Sequence, residues 1–149
     1  MSERIVVGVD GSDTASLAVR WAAREAVLRG AALTLVGAWE IPSTALGLGM
    51  AAVSEDLVKD LVKVAEDNVA AALDEVRAEA GSAIEVQTAV AEGQAAHVLL
   101  DASREADLLV IGSRGLGGFR ELLLGSVSQQ CAHHSTCPVV IVRHVHGTA

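Results

Sequence analysis

Five short strand-like segments, separated by segments with the 3.6-residue period of amphipathic helices, predict an α/β domain built on a parallel sheet. Three observations carry this. Strand-like and helix-like stretches alternate along the whole chain. Its 149 residues suit one domain with a substantial core. Just over half of them (51%) are apolar, mostly Ala, Val and Leu, which argues against intrinsic disorder. Right-handed crossovers between five such strands give a doubly wound, Rossmann-like sheet with helices on both faces.

Residues 5–9 are continuously apolar and predict a buried strand. Ser12 or Asp13 is placed to cap the helix that follows, and Gly30 gives that helix a natural stop. Residues 33–39 predict the second strand. Residues 40–53 carry Pro42, Gly47 and Gly49 without a clear period and predict a mobile loop. Ser54, followed by Glu55 and Asp56, announces a long helix. Its apolar stripe is Leu57, Leu61, Ala65, Val69, Leu73 and Val76, and Gly81 ends it. Residues 84–90 alternate apolar and polar, as a strand near a sheet edge does. Ala95, Val98, Leu99 and Ala102 mark a short helix, and residues 108–111 the fourth strand. A glycine-rich loop over 113–124 follows. Val127, Cys131 and His134 share one face of the last helix, and residues 139–142 form the final strand. No repeat or linker interrupts the chain, so one domain is expected over 1–149, with 144–149 a flexible tail.

The glycine-rich stretch is the most informative about function. An apolar run drives into Gly112, and Gly115, Gly117, Gly118 and Gly125 follow. Bare Cα positions leave amide N–H groups uncovered, and the helix opening at Gly125-Ser126 adds its own free N–H groups and dipole. Strand, glycine loop and helix start together predict a phosphate cradle. Other phosphate loops fit poorly. No Lys follows the glycines as a Walker loop requires, and Gly-x-Gly-x-x-Gly begun at Gly115 would need glycine where Arg120 stands.

The spacing Gly112-x2-Gly115-x9-Gly125-Ser126 resembles the Gly-x2-Gly-x9-Gly-Ser/Thr signature of ATP-binding universal stress proteins. The resemblance runs from Ile5-Val6-Val7-Gly8-Val9-Asp10-Gly11-Ser12 to Cys137-Pro138-Val139-Val140-Ile141-Val142. It implies strand order 3-2-1-4-5, which puts the reversal of winding between strands one and four and brings Asp10 and Gly112 to one crevice. It also implies an ATP site, with Mg²⁺ carried on the phosphates, and a homodimer through Val139–Val142. The chain departs from many relatives in having Gly37-Ala38 where they carry His and a larger aliphatic residue, and in lacking proline near Gly93-Gln94.

Most candidate residues have a role and a plainer alternative, which for the glycine loop as a whole is a connection that holds no ligand. Asp10 offers a carboxylate to a nucleoside amino group or ribose hydroxyls, or else is a solvated turn residue. Gly8 leaves room for a base, or is a packing glycine. Ala38 corresponds to a family position whose backbone faces adenine. Trp39 beside it stacks on a base or is core packing. Gly112, Gly115, Gly125 and Ser126 present amides to phosphates, and the Ser126 hydroxyl adds a bond. Ser113 and Arg114 lie within the loop, Arg114 either clamping a terminal phosphate or facing solvent. Val127 packs and offers its N–H.

The formal net charge of −8, without a Lys/Arg cluster, argues against nucleic acid or an anionic membrane as partner. Met1-Ser2-Glu3-Arg4 leads straight into a strand, so no signal peptide is expected, and no apolar stretch is long enough to span a bilayer. Cys131 and Cys137 read as small buried residues of a reducing compartment, which predicts the cytoplasm. His133, His134, His144 and His146 lack metal-site spacing with these cysteines.

Three functions compete. The first is an ATP-binding regulatory stress protein, with loop 40–53 closing over the nucleotide. The second is a slow ATPase or nucleotidyl transferase, for which Glu121 and Glu92 are the nearest acids and both read as surface residues. The third is a nucleotide-independent dimeric scaffold pairing through its apolar edge strand or with another protein partner.

Overall fold

The sheet is the organising element of this computed structural model, which describes residues 2–49, 53–115 and 124–144. Along the chain run β1 (Arg4–Val9), α1 (Asp13–Arg29), β2 (Ala32–Trp39), α2 (Ser43–Gly47), α3 (Glu55–Ala80), β3 (Val86–Glu92), α4 (Ala95–Ala102), β4 (Leu108–Gly112), α5 (Ser126–His134) and β5 (Val139–Val142). The strands form one parallel sheet in the order 3-2-1-4-5. The alternating pattern predicts the doubly wound parallel sheet, and the family resemblance implies this strand order.

Period-2 alternation divides the buried side chains between two faces. Ile5, Val7, Leu33, Leu35, Leu108 and Val110 meet α1 and α3, whereas Val6, Val36, Leu109 and Ile111 meet α4 and α5. Against the sheet α1 sets Ala15, Ala18, Ala22, Ala23 and Ala26, all buried, and such small side chains let its axis come close. Ser12 is its N-cap, accepting from the Ala15 amide at 3.2 Å, and Gly30 closes it in the left-handed conformation. Arg20–Glu75 and Arg24–Glu79 ion pairs cross from α1 to α3 at the surface. The Arg24 guanidinium, hydrogen-bonded to Glu79, holds that carboxyl below its ordinary range.

The structure corrects the element boundaries at two places and the buried faces of two helices. Residues 40–53 contain α2, a five-residue helix with Pro42 at its N-cap, no capping side chain and no buried residue. With neither a cap nor a packed face, it leaves no signature in the sequence. The strand read at 84–90 is β3, Val86–Glu92, because it takes its register from β2, running from Leu33↔Val86 to Trp39↔Glu92. Ile84 belongs instead to the turn after α3. On α3, Ala65, Val69, Ala72 and Val76 are buried, while Leu57 and Leu61 are only half-buried. On α5 the buried residues are Ser128 and Cys131, and His134 is exposed.

Candidate functional site

Pairing between β1 and β4 runs from Ile5↔Leu108 to Val7↔Val110, after which the two chains part. From β1 the chain turns into α1 on one face, and beyond β4 the next described helix, α5, lies on the other. A crevice must open between them. It holds a cavity of about 400 Å³, within the ~300–1,000 Å³ usual for small-molecule sites.

The cavity wall changes character across the sheet. Toward β2 and α4 it is Val36, Ala38, Ala95 and Leu99; toward β4 and α5 it is Arg114, Gly115, Gly125, Ser126, Val127 and Ser128. Gly8, Val9 and Asp10 from β1, Ser12 and Ala15 from α1, and Ile111 and Gly112 from β4 complete it. Thus Gly8, Asp10, Ala38, Gly112, Arg114, Gly115, Gly125, Ser126 and Val127 come together around one space. Ser113 does not line it, and neither does Trp39, the residue after Ala38 on a strand whose side chains alternate. Glu92 is exposed at the end of β3 and also stands apart. Glu121 and residues 116–123 of the glycine loop lie outside the described residues.

Backbone geometry fixes the polar side. Asp10 Oδ1 accepts from the Ser12 amide at 2.9 Å, which orients the carboxylate toward the opposite wall. A Cβ built on Gly115 would lie 2.8 Å from Asp10 Oδ2, so any side chain there would displace the carboxylate from this position. The Ser113 amide donates to Val142 O at 2.8 Å, while Ser113 O accepts from the Gly125 amide (2.7 Å) and the Ser128 hydroxyl (2.9 Å). Ser113 therefore anchors the base of the loop to β5 and α5. Helix α5 begins with Gly125 as N-cap and no side-chain cap, so its first-turn N–H groups at Ser126, Val127 and Ser128 have no carbonyl behind them in the helix. They are donors for an anion.

Several of these residues carry no sequence signal of their own. Val36, Leu99, Ala95 and Ile111 read as ordinary core, and only the period of two from Ala38 could have placed Val36 on the same wall. Ser128 stands three residues past the helix-opening Gly125, which could have marked it. Both cysteines are free thiols. Burial pushes the Cys131 thiol up to about 11, which keeps it neutral and unreactive. Among the described residues no group of three or more His, Cys, Asp or Glu could hold a metal, and no helix is long and apolar enough to cross a membrane.

Comparison with known proteins agrees with this architecture. The profile of the universal stress protein family matches residues 1–143. A universal stress protein of Mycolicibacterium smegmatis is 39% identical over 143 residues, covering 93% of this chain and 47% of that protein. The chain thus spans about half the length of that relative. Universal stress protein YxiE of Bacillus subtilis is 32% identical over 148 residues, covering 96% of this chain and 100% of its own. Among solved structures, a universal stress protein in complex with cAMP superposes with a TM-score of 0.69 at 30% identity, covering 94% of this chain and 96% of that one. On the profile match and these identities, the chain belongs to the universal stress protein family.

Proposed function

We propose that this protein binds ATP in the crevice between β1 and β4 and acts as a cytoplasmic regulatory stress-response module, working as a homodimer. The observation that carries the reading is the meeting of Asp10 with the glycine loop, where the Asp10 carboxylate lies against the bare Cα of Gly115. The wall there is polar and includes the first turn of α5, suited to phosphates; the wall of Val36, Ala38, Ala95 and Leu99 is apolar, suited to a base. Gly115, Gly125, Ser126 and Val127 would hold the phosphates by backbone N–H groups, with the Ser126 hydroxyl and Arg114 beside them. Asp10 would accept from the nucleoside. Mg²⁺ would arrive on the phosphates and offset their charge. A family member of 30% identity was crystallised with cAMP, an adenine nucleotide, which supports the same class of ligand here.

A binding role fits better than turnover. Among the described residues lining the cavity Asp10 is the only acid, and there is no Lys or His to position a nucleophile or stabilise a transferring phosphoryl group. Calorimetric titration with ATP and Mg²⁺ tests the reading. Saturable binding at one site per chain, weakened about tenfold or more in Asp10→Ala, is expected from the loss of a charged hydrogen-bond partner. Equal binding by wild type and Asp10→Ala would place the nucleotide elsewhere.

A further inference from the structure

Thr14 is absent from the cavity wall, yet it is buried in the first turn of α1 and its hydroxyl donates to the carbonyl of Arg114. A threonine within a helix commonly turns its hydroxyl back to a carbonyl one turn earlier. Thr14, second residue of α1, has no helical carbonyl behind it, and its hydroxyl reaches across to the glycine loop instead. The preceding carbonyl, Ser113 O, is taken by the Ser128 hydroxyl and the Gly125 amide of α5. Two consecutive carbonyls at the start of the loop are therefore fastened from helices on opposite faces of the sheet.

Gly112 makes the Thr14 contact possible. A Cβ there would lie 2.7 Å from Thr14 Oγ1 and 2.9 Å from the Ala15 nitrogen, so the first turn of α1 can approach β4 only because that Cβ is missing. The Arg114 peptide is held on one side, and the chain leaves it toward Gly115 and Asp10. We propose that Thr14 is a positioning residue for the anion-binding loop: its hydroxyl fixes the Arg114 peptide and so sets how Arg114 and Gly115 meet the cavity. Its consequence for affinity rests on the ATP reading above; its consequence for loop order does not.

The test uses Thr14→Val, which keeps the shape and removes the hydroxyl, and Thr14→Ser, which keeps the hydroxyl. Titration with ATP and Mg²⁺ is paired with native-state hydrogen exchange. Thr14→Val should bind about tenfold more weakly, because a part-buried carbonyl loses its hydrogen-bond partner. Amides of Gly115 and Gly125 should exchange about tenfold faster while those of α3 keep their rates, and Thr14→Ser should restore both properties. Wild-type affinity and exchange in Thr14→Val would overturn the proposal, as would uniformly faster exchange across the chain. Should Thr14→Val not fold, Thr14→Ala removes the same hydroxyl with less bulk and is read by the same criteria. If the wild type binds no ATP, the nucleotide reading fails, and the exchange comparison alone decides the role of Thr14.

Discussion

The glycines of the signature differ in what demands them. At Gly112 the demand comes from the fold, since a Cβ would strike backbone atoms of Thr14 and Ala15 that cannot turn aside. At Gly115 it comes from the Asp10 carboxylate. Gly125 has an ordinary φ of −75°, and a Cβ there would meet nothing closer than the Arg114 Cα at 3.4 Å. Among the described residues no close contact requires glycine at that position. Gly112→Ala should therefore cost about 1–3 kcal/mol in urea unfolding, as overpacking against an unyielding backbone does. Gly125→Ala should unfold within about 0.5 kcal/mol of wild type, the range of substitutions that disturb no contact. Similar losses at both positions would contradict this division. The spacing of the glycines was legible in the sequence, but these separate reasons were not, because each depends on a partner far along the chain.

At the scale of elements, the sequence was most legible where burial and capping agree. The apolar runs at 5–9 and 108–111 became β1 and β4, the strand read at 33–39 became β2, and Ser12 and Ser54 cap α1 and α3 as their positions suggested. It was least legible where an element takes its limits from a neighbour. The ends of β3 follow the register of β2, and α2 has no face to bury. The convergence of Asp10, Ala38 and Gly125 depends on strand order, which periodicity alone does not give. Capping can also be separated from binding. Ser54 Oγ accepts from the Leu57 amide at 3.1 Å and does not line the cavity. Ser54→Ala should lose about 1 kcal/mol of stability, the usual value of an N-cap, with unchanged ATP affinity. A parallel loss of affinity would mean that α3 is coupled to the site.

Taken whole, the molecule presents two unlike sheet edges. Edge strand β3 shows Gln87, Thr88 and Glu92 to solvent, whereas β5 is Val-Val-Ile-Val with all four residues half-buried. An apolar edge is the one suited to pairing with a second copy. Sedimentation at micromolar concentration should show a dimer, and a monomer would count against β5 as an interface. Because Ser113 bonds Val142 with its amide and Gly125 with its carbonyl, this edge and the cavity wall at the start of α5 share one residue. The most direct measurement of the central claim is the nucleotide content of freshly purified protein, released by gentle denaturation and identified by chromatography and mass spectrometry. Adenine nucleotide near one per chain, lost in Gly125→Val and reduced in Asp10→Ala, is the predicted result. Protein that carries no nucleotide and takes up none from added ATP and Mg²⁺ would contradict it.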